Sequence, residues 1–316
     1  MTSSAEAIGI DIGGTKTAAA RMSGDGTVLA REVLPTPADD MAATLDTIVK
    51  AARAVATPEV RAAGIAAAGM VDVGAGVLRF APNLAWRDAP LVEYVSDALG
   101  LPVIADNDNT AAAWGEFRFG AGRGYTDLLL IGVGTGIGGG IIAGGELFHG
   151  AHGFAAEIGH IVMEPGGPLC GCGNRGCWEQ VASGQAVTRA GREAVRSGVE
   201  TAIVGLCGGD PERVTGPLVT RAAKEGDAVA VRILAEVGRR LGEGIAGLVN
   251  VLDPQVVVVG GGVAAAGELL LGPARAAFQD AVEAPAHRPD VPIVPAELGN
   301  DAGTVGAASL ALEAFA

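Results

Sequence analysis

Short apolar runs that stop in glycine-rich turns alternate with longer helical stretches, a pattern that reads as α/β from end to end. Residues 7–12 form a short apolar run that ends at Gly13-Gly14-Thr15. Residues 17–22 and 27–34 read as antiparallel strands around the turn Ser23-Gly24-Asp25-Gly26. Residues 39–56 are helical in composition, 62–68 and 77–80 look like strands, and 90–99 reads as a helix. A buried strand over 101–105 reaches the polar cluster Asp106-Asn107-Asp108-Asn109, and a helix over 110–117 follows it. Residues 127–133 and 137–143 make a second strand pair joined by Gly and Thr. Residues 150–180 read as an irregular, Gly-rich loop segment. Helices then dominate, clearest over 186–197 and over 227–252, where Asp227 is placed to cap and Pro254 follows the end. A buried strand over 256–259 ends in Gly260-Gly261-Gly262, and 304–315 closes the chain as a helix. The strand–turn–strand unit near residue 7 recurs near residue 127. With no fixed short period, this suggests duplicated domains rather than a solenoid.

Residues 128–145 run 18 positions without a charge, near the length of a membrane span. Eight of them are Gly, each costing about 1 kcal/mol against Ala inside a helix, so the stretch reads as two buried strands and a turn. The N-terminus lacks a basic region and reaches Asp11 early, unlike a secretory signal. The expectation is a soluble cytoplasmic protein without membrane contact. The length of 316 residues suggests two domains, and the 49% hydrophobic content can fill a sizeable core. Aromatics are only 4%, so that core rests on Ala, Val, Leu and Ile. A net charge of −14 and the lack of any Lys/Arg-rich stretch oppose nucleic-acid binding. Three Lys against 19 Arg suggests a GC-rich coding bias, which would also inflate the 50 Gly.

Five features carry candidate chemistry. In Asp11-Ile12-Gly13-Gly14-Thr15-Lys16-Thr17, glycines between strands let backbone N–H groups close on an anion, with Thr15 and Lys16 adding donors. The Walker spacing is absent, and an ordinary Gly hairpin is the alternative. The run 132–140 matches GxGxxG at Gly134, Gly136 and Gly139, but strand rather than helix follows it. A second phosphate-facing hairpin therefore fits better than a dinucleotide site. Residues 106–109 sit at a strand's carboxyl end before a helix, where α/β folds bind ligands. An Asp there can accept a proton from an attacking hydroxyl. Helix capping is the plainer reading, but it needs only one such residue. Three Cys (170, 172, 177) and His160 fall within 18 residues, the donor set of a closed structural zinc site. A disulfide with a spare thiol, or inert thiols, are the alternatives. Cys207 reads as a buried small hydrophobe, and His149, His152 and His287 as surface or internally satisfied histidines. Glu157 and Glu179 flank the cluster and could bind sugar hydroxyls if the metal braces the loop. Otherwise they are solvated acids.

Taken together, DIGGTKT at 11–17, PNLAW at 82–86, DNDNTAA at 106–112, GVGTGIGGGI at 132–141, EIGH at 157–160, CGCGNRGCWE at 170–179 and GGGV at 260–263 resemble the ROK family of sugar kinases and repressors, its bacterial glucokinases above all. The resemblance implies an α/β, actin-like ATPase (ribonuclease H-like) fold with two α/β domains around a central cleft. It places 1–110 with 302–316 in a small N-terminal domain, and 111–301 in a larger one that holds the zinc loop. It implies ATP with Mg²⁺, and transfer of the γ-phosphoryl group to the 6-hydroxyl of glucose. By motif, Asp108 matches the catalytic base. Asn83, Asn107, Glu157, His160 and Glu179 match sugar-binding positions, and His160, Cys170, Cys172 and Cys177 the zinc ligands. Gly13, Gly14, Thr15 and Lys16 match the first phosphate loop, Thr135 and Gly136 the second, and Gly261 and Gly262 the adenosine-side turn. Asp11 matches the acidic position near the metal-bound phosphates. His160 could serve ion and sugar through its two ring nitrogens.

The rivals are kinases of fructose, mannose, N-acetylglucosamine or N-acetylmannosamine, a sugar-sensing repressor, and a non-catalytic sugar-binding protein. A first phosphate strand that begins by Ala7 leaves no room for a helix-turn-helix ahead of it. A homodimer or homotetramer is expected by resemblance alone.

Overall fold

The computed structural model describes residues 5–81 and 86–315. The chain forms two compact units, Met1–Leu130 with Gly140–Ala156 and Ala296–Ala316, and Ile131–Gly139 with Glu157–Pro295.

The first unit is built on a sheet of β1 (Glu6–Ile12), β2 (Lys16–Ser23), β3 (Val28–Pro35), β4 (Val60–Ala67) and β8 (Val103–Asn107), ordered β3-β2-β1-β4-β8. The first three strands are antiparallel neighbours, and β4 and β8 then add in parallel. A smaller sheet holds β5 (Met70–Asp72), β6 (Val77–Phe80) and β7 (Arg87–Ala89). Side chains alternate across the main sheet, as strand geometry requires. Ile8, Ile10 and Ile12 pack with Leu45, Ile48 and Ala52 of α1 (Met41–Val55), in the core that also takes in Leu91 and Val95 of α2 (Leu91–Leu99). Ala7 and Ala62 face the other way, towards Val305, Ala308 and Leu312 of the last helix.

That last helix, α10 (Ala302–Phe315), lies almost backbone to backbone on the sheet and on α3 (Asp108–Phe119). A Cβ at Gly9 would strike the carbonyl of Thr304, one at Gly64 that of Ala307, and one at Gly306 that of Ala111. Some of the abundant glycine is therefore a packing requirement of this layer. The strand expected over 101–105 starts later and runs on through Asp106 and Asn107, and α3 begins at Asp108 rather than 110. The reason is local: the Asn107 side chain accepts from the backbone N–H groups of Asn109 (2.9 Å) and Thr110 (3.2 Å), capping the helix.

A second sheet runs β11-β10-β9-β12-β13, from β9 (Leu128–Val133), β10 (Ile137–Ala143), β11 (Glu146–Leu147), β12 (Val256–Gly260) and β13 (Ile293–Pro295). Its order repeats that of the first sheet position by position, in line with the repeated strand–turn–strand unit in the sequence. The uncharged stretch 128–145 is two strands and turns. Among the described residues, no helix is long and apolar enough to cross a membrane.

Six α-helices belong to the second unit: α4 (Glu179–Ala182), α5 (Gly184–Arg196), α6 (Ala202–Leu206), α7 (Gly216–Lys224), α8 (Ala228–Leu252) and α9 (Glu268–Ala281). Asp227 caps α8 by accepting from Ala230 N–H. Ser183 caps α5, so that helix starts two residues before its expected position. Helices α7 and α9 were not singled out by the sequence pattern.

Candidate active site

In the first unit, three elements bring polar groups together. The β1–β2 turn closes through Gly13 N–H to Lys16 C=O at 3.0 Å and leaves Thr15 and Lys16 exposed. Asp11 sits at the end of β1, where the absent side chain of Gly303 leaves it room. Burial, reinforced by the nearby charge of Asp108 and opposed by Lys16, pushes the Asp11 pKa up to about 7. Asp11, Lys16 and Asp108 thus share one electrostatic neighbourhood.

Asp108 is the first residue of α3 and accepts a hydrogen bond from Asn109 Nδ2 at 3.1 Å. Its residue surface is only half-buried, yet protein crowds the carboxyl and burial raises its pKa despite opposing hydrogen bonds from Asn109 and Asn107. Asn107 spends its oxygen on the helix cap and donates from Nδ2 to the carbonyl of Gly69 at 3.0 Å. Asp106 is buried at 6% exposure and meets His149 Nε2 at 2.7 Å, a bond that raises the histidine pKa. Asn83 lies outside the described residues.

In the second unit, the turn 134–136 docks on the start of α5. Gly134 and Thr135 carbonyls accept from Gly184 N–H (2.9 Å) and Gln185 N–H (3.2 Å). Gly261, at φ 86°, packs so tightly on β9 that a Cβ would lie 2.5 Å from the Val133 carbonyl. Gly134, Thr135 and Gly262 line one cavity of about 1150 Å³, together with residues of α5 and α7. Arg189, Arg192, Arg196, Arg221 and Lys224 also line it. Sequence reasoning missed this cationic wall, because its members are spread over 36 residues and meet only when α5 packs beside α7. Arg192 and Arg196 both pair with Glu212, and Arg221 with Glu225.

The ligand atoms of His160, Cys170, Cys172 and Cys177 all lie within 4.8 Å of one another. Cys172 and Cys177 sulfurs are 3.6 Å apart, and His160 Nδ1 is 3.6 Å from Cys170 Sγ. A tetrahedron of thiolates about 2.3 Å from zinc would space its sulfurs about 3.8 Å apart, so the donor set fits the ion in chemistry and spacing. The four cysteines are free thiols, and Cys207 is buried away from the cluster at 1% exposure. His160 aims Nδ1 at the cluster, while its Nε2 lies 3.8 Å from Glu157 Oε2. Glu179 accepts from Cys170 Sγ at 3.0 Å, and the turn glycine Gly136 leaves the space that its other oxygen fills. Trp178, fully buried and bonded to the Arg240 carbonyl, anchors Glu179 from the preceding position.

Residues 7–314 match the family model described as "ROK family". The chain belongs to the ROK family. As a ROK protein it carries the actin-like ATPase fold of two α/β units. It is 44% identical over 309 residues to a glucokinase of Streptomyces coelicolor, covering 97% of each chain. It is 35% identical over 311 residues to an N-acetylmannosamine kinase of Escherichia coli, covering 96% of this chain and 97% of that one. Among solved structures, it resembles a ROK family glucokinase from Streptomyces griseus in complex with glucose and AMPPNP. That likeness has a TM-score of 0.90 at 43% identity and covers 98% of this chain and 99% of the other.

Proposed function

We propose that this chain is an ATP-dependent glucokinase that phosphorylates glucose at its 6-hydroxyl, with Asp108 as general base. The observation that carries the reading is the setting of Asp108. It is a crowded carboxyl of raised pKa at a helix start, sharing its field with Asp11 and Lys16 of a glycine turn. A carboxylate of raised basicity suits removal of a hydroxyl proton as the phosphoryl group arrives.

Gly13, Gly14, Thr15 and Lys16 would take phosphate oxygens of ATP, with Thr135 and Gly136 as the second phosphate turn and Gly261 and Gly262 towards the adenosine. Asn83, Asn107, Glu157, His160 and Glu179 would hold the sugar hydroxyls. Mg²⁺ carried with ATP would supply charge neutralisation at the phosphates, and Asp11 is the acidic side chain on that side. His160, Cys170, Cys172 and Cys177 would hold a structural zinc whose four protein ligands leave no open position. It would brace the loop that presents Glu157 and Glu179. Homodimer or homotetramer assembly, and a cytoplasmic place at the entry to glycolysis, complete the reading.

A coupled ADP-release assay over a panel of hexoses and N-acetylhexosamines with Mg·ATP tests it, with glucose expected to be preferred. No turnover on any sugar would sink the kinase reading. Preference for an N-acetyl sugar would favour the second reading, which the likeness to the N-acetylmannosamine kinase supports. Asp108→Asn is expected to bind glucose normally yet lose at least about 10²-fold in kcat. A near-normal rate would remove Asp108 from the base role.

A further inference from the structure

We propose that His149 is a positioning residue for this phosphoryl transfer. Through its bond to Asp106 it holds the strand-to-helix junction that carries Asn107 and Asp108. The inference rests on the kinase reading for its consequence, but on independent contacts for its geometry.

The junction is a relay of short bonds. His149 Nε2 and Asp106 Oδ2 are 2.7 Å apart, across 43 residues of sequence. The other oxygen, Asp106 Oδ1, accepts from the backbone N–H of Asn107, also at 2.7 Å. That bond orients the Asn107 peptide. The Asn107 side chain then caps α3 through Asn109 and Thr110, and its amide reaches the Gly69 carbonyl. Asp108 is the next residue. The two oxygens of Asp106 therefore join His149 on one side to the cap of the base-bearing helix on the other.

Asp106 is 6% exposed, too buried to remain an unpaired anion without large cost. His149 is the charge-capable partner it finds. Without the imidazole, the carboxylate loses its 2.7 Å partner and turns towards water. That turn loosens the Asn107 peptide, which Asp106 Oδ1 orients. His149 is itself well placed as an anchor. Its carbonyl accepts from Ala155 N–H at 3.1 Å, closing a loop over 149–155 that bends at Gly150 and Gly153 with φ of 70° and 81°. Side chain and backbone thus tie that loop to the end of β8.

A plain structural role would weaken folding alone. A positioning role shows in kcat and in the local order of the junction, and a conservative replacement rescues it. His149→Ala should lower kcat roughly ten- to a hundredfold, the scale of an ångström-sized misplacement, while KM for ATP stays within about twofold of the wild type. His149→Gln, whose amide N–H can meet the same carboxylate oxygen, should recover most of the loss. Hydrogen–deuterium exchange over residues 103–112 should quicken in His149→Ala and return in His149→Gln. His287→Ala, at an exposed histidine, should change neither.

Wild-type kcat and exchange in His149→Ala overturn the proposal, as does equal impairment in His149→Gln. Should His149→Ala fail to fold, Asp106→Asn replaces it. This variant keeps the acceptor for Asn107 but removes the anion. It should lower kcat and quicken exchange over residues 103–112, because the bond to His149 loses its charged partner. Wild-type kcat and exchange in Asp106→Asn overturn the proposal. A wild type that turns over no sugar overturns the kinase reading alone, and the exchange comparison then still decides whether the pair holds the junction.

Discussion

Asp11 shows how one buried carboxyl sets a pH dependence. Its pKa of about 7 lies well above the 3.8 of an ordinary Asp, chiefly through burial. From about pH 4 to 7 the folded chain keeps a proton that the unfolded chain gives up, so this group's contribution to stability falls as pH rises through that window. Above it, the folded chain bears an ion it holds poorly. Asp11→Asn removes that ion. The variant should be more heat-stable than the wild type at pH 8 without ligands. The advantage is at most ~4 kcal/mol by three units at 1.36 each, trimmed by the solvent that reaches this half-buried side chain. It should shrink towards pH 5. Thermal unfolding at both values checks this, and an equal gap at both would refute it. Catalysis should suffer at every pH if Asp11 faces the metal-bound phosphates. The residue's motif was visible in the sequence. Its protonation was not, because that depends on Asp108 and α10 arriving from distant parts of the chain.

At the scale of elements, the same substitution has opposite signs in different places. Gly64→Ala drives a methyl into the Ala307 carbonyl, so α10 must lift from β4. A loss of about 1–3 kcal/mol, or more, is expected, as for other overpacked cores. Gly247→Ala lies in α8 at an exposed position with open space around its Cβ. It should gain roughly 0.5–1 kcal/mol. Urea titrations of both variants read the two signs directly, and a neutral Gly64→Ala would show that the layer can relax.

The Cys/His loop around His160 and Cys170, Cys172 and Cys177 is an element of another kind, one with little core to hold it. Its cysteines and His160 converge, yet Cys172 is exposed and the loop's regular structure is confined to short turns and single bridges. Cys172→Ser should leave less than one zinc per chain by metal analysis. KM for glucose should rise more than KM for ATP, since Glu157 and Glu179 lose their brace. A metal-free variant with unchanged glucose KM would count against the bracing role. The Cys and His spacing was enough to expect this cluster, because ligands of one ion must lie close and this segment is short. The cationic wall of the 1150 Å³ cavity carried no such local signal. Its arginines on α5 and α7 become neighbours only through helix packing. His149 is a similar case: nothing near it in sequence distinguishes it from His152 or His287.

For the whole molecule, the sequence by itself determined the principal strands, helices and turns, though not α7, α9 or the short edge strands, and it supplied the chemical vocabulary. Apolar runs of strand length, glycine turns and a polar cluster before a helix are local properties, so they can be read without a fold. The repeated strand–turn–strand pattern pointed to duplicated domains, and the structure adds that the two sheets share one strand order. The tertiary structure alone decided which glycines are structural, how far β8 extends, and which carboxyls have their pKa raised by burial. Glycines that composition left open to codon bias prove to be contact points at Gly9, Gly64 and Gly306, where backbone meets backbone. The physical reason is the same in each case. Close approach, desolvation and ion pairing are set by neighbours distant along the chain, such as Asp106 and His149. Local pattern names the residues that can do the chemistry, and long-range packing decides the state in which they are held.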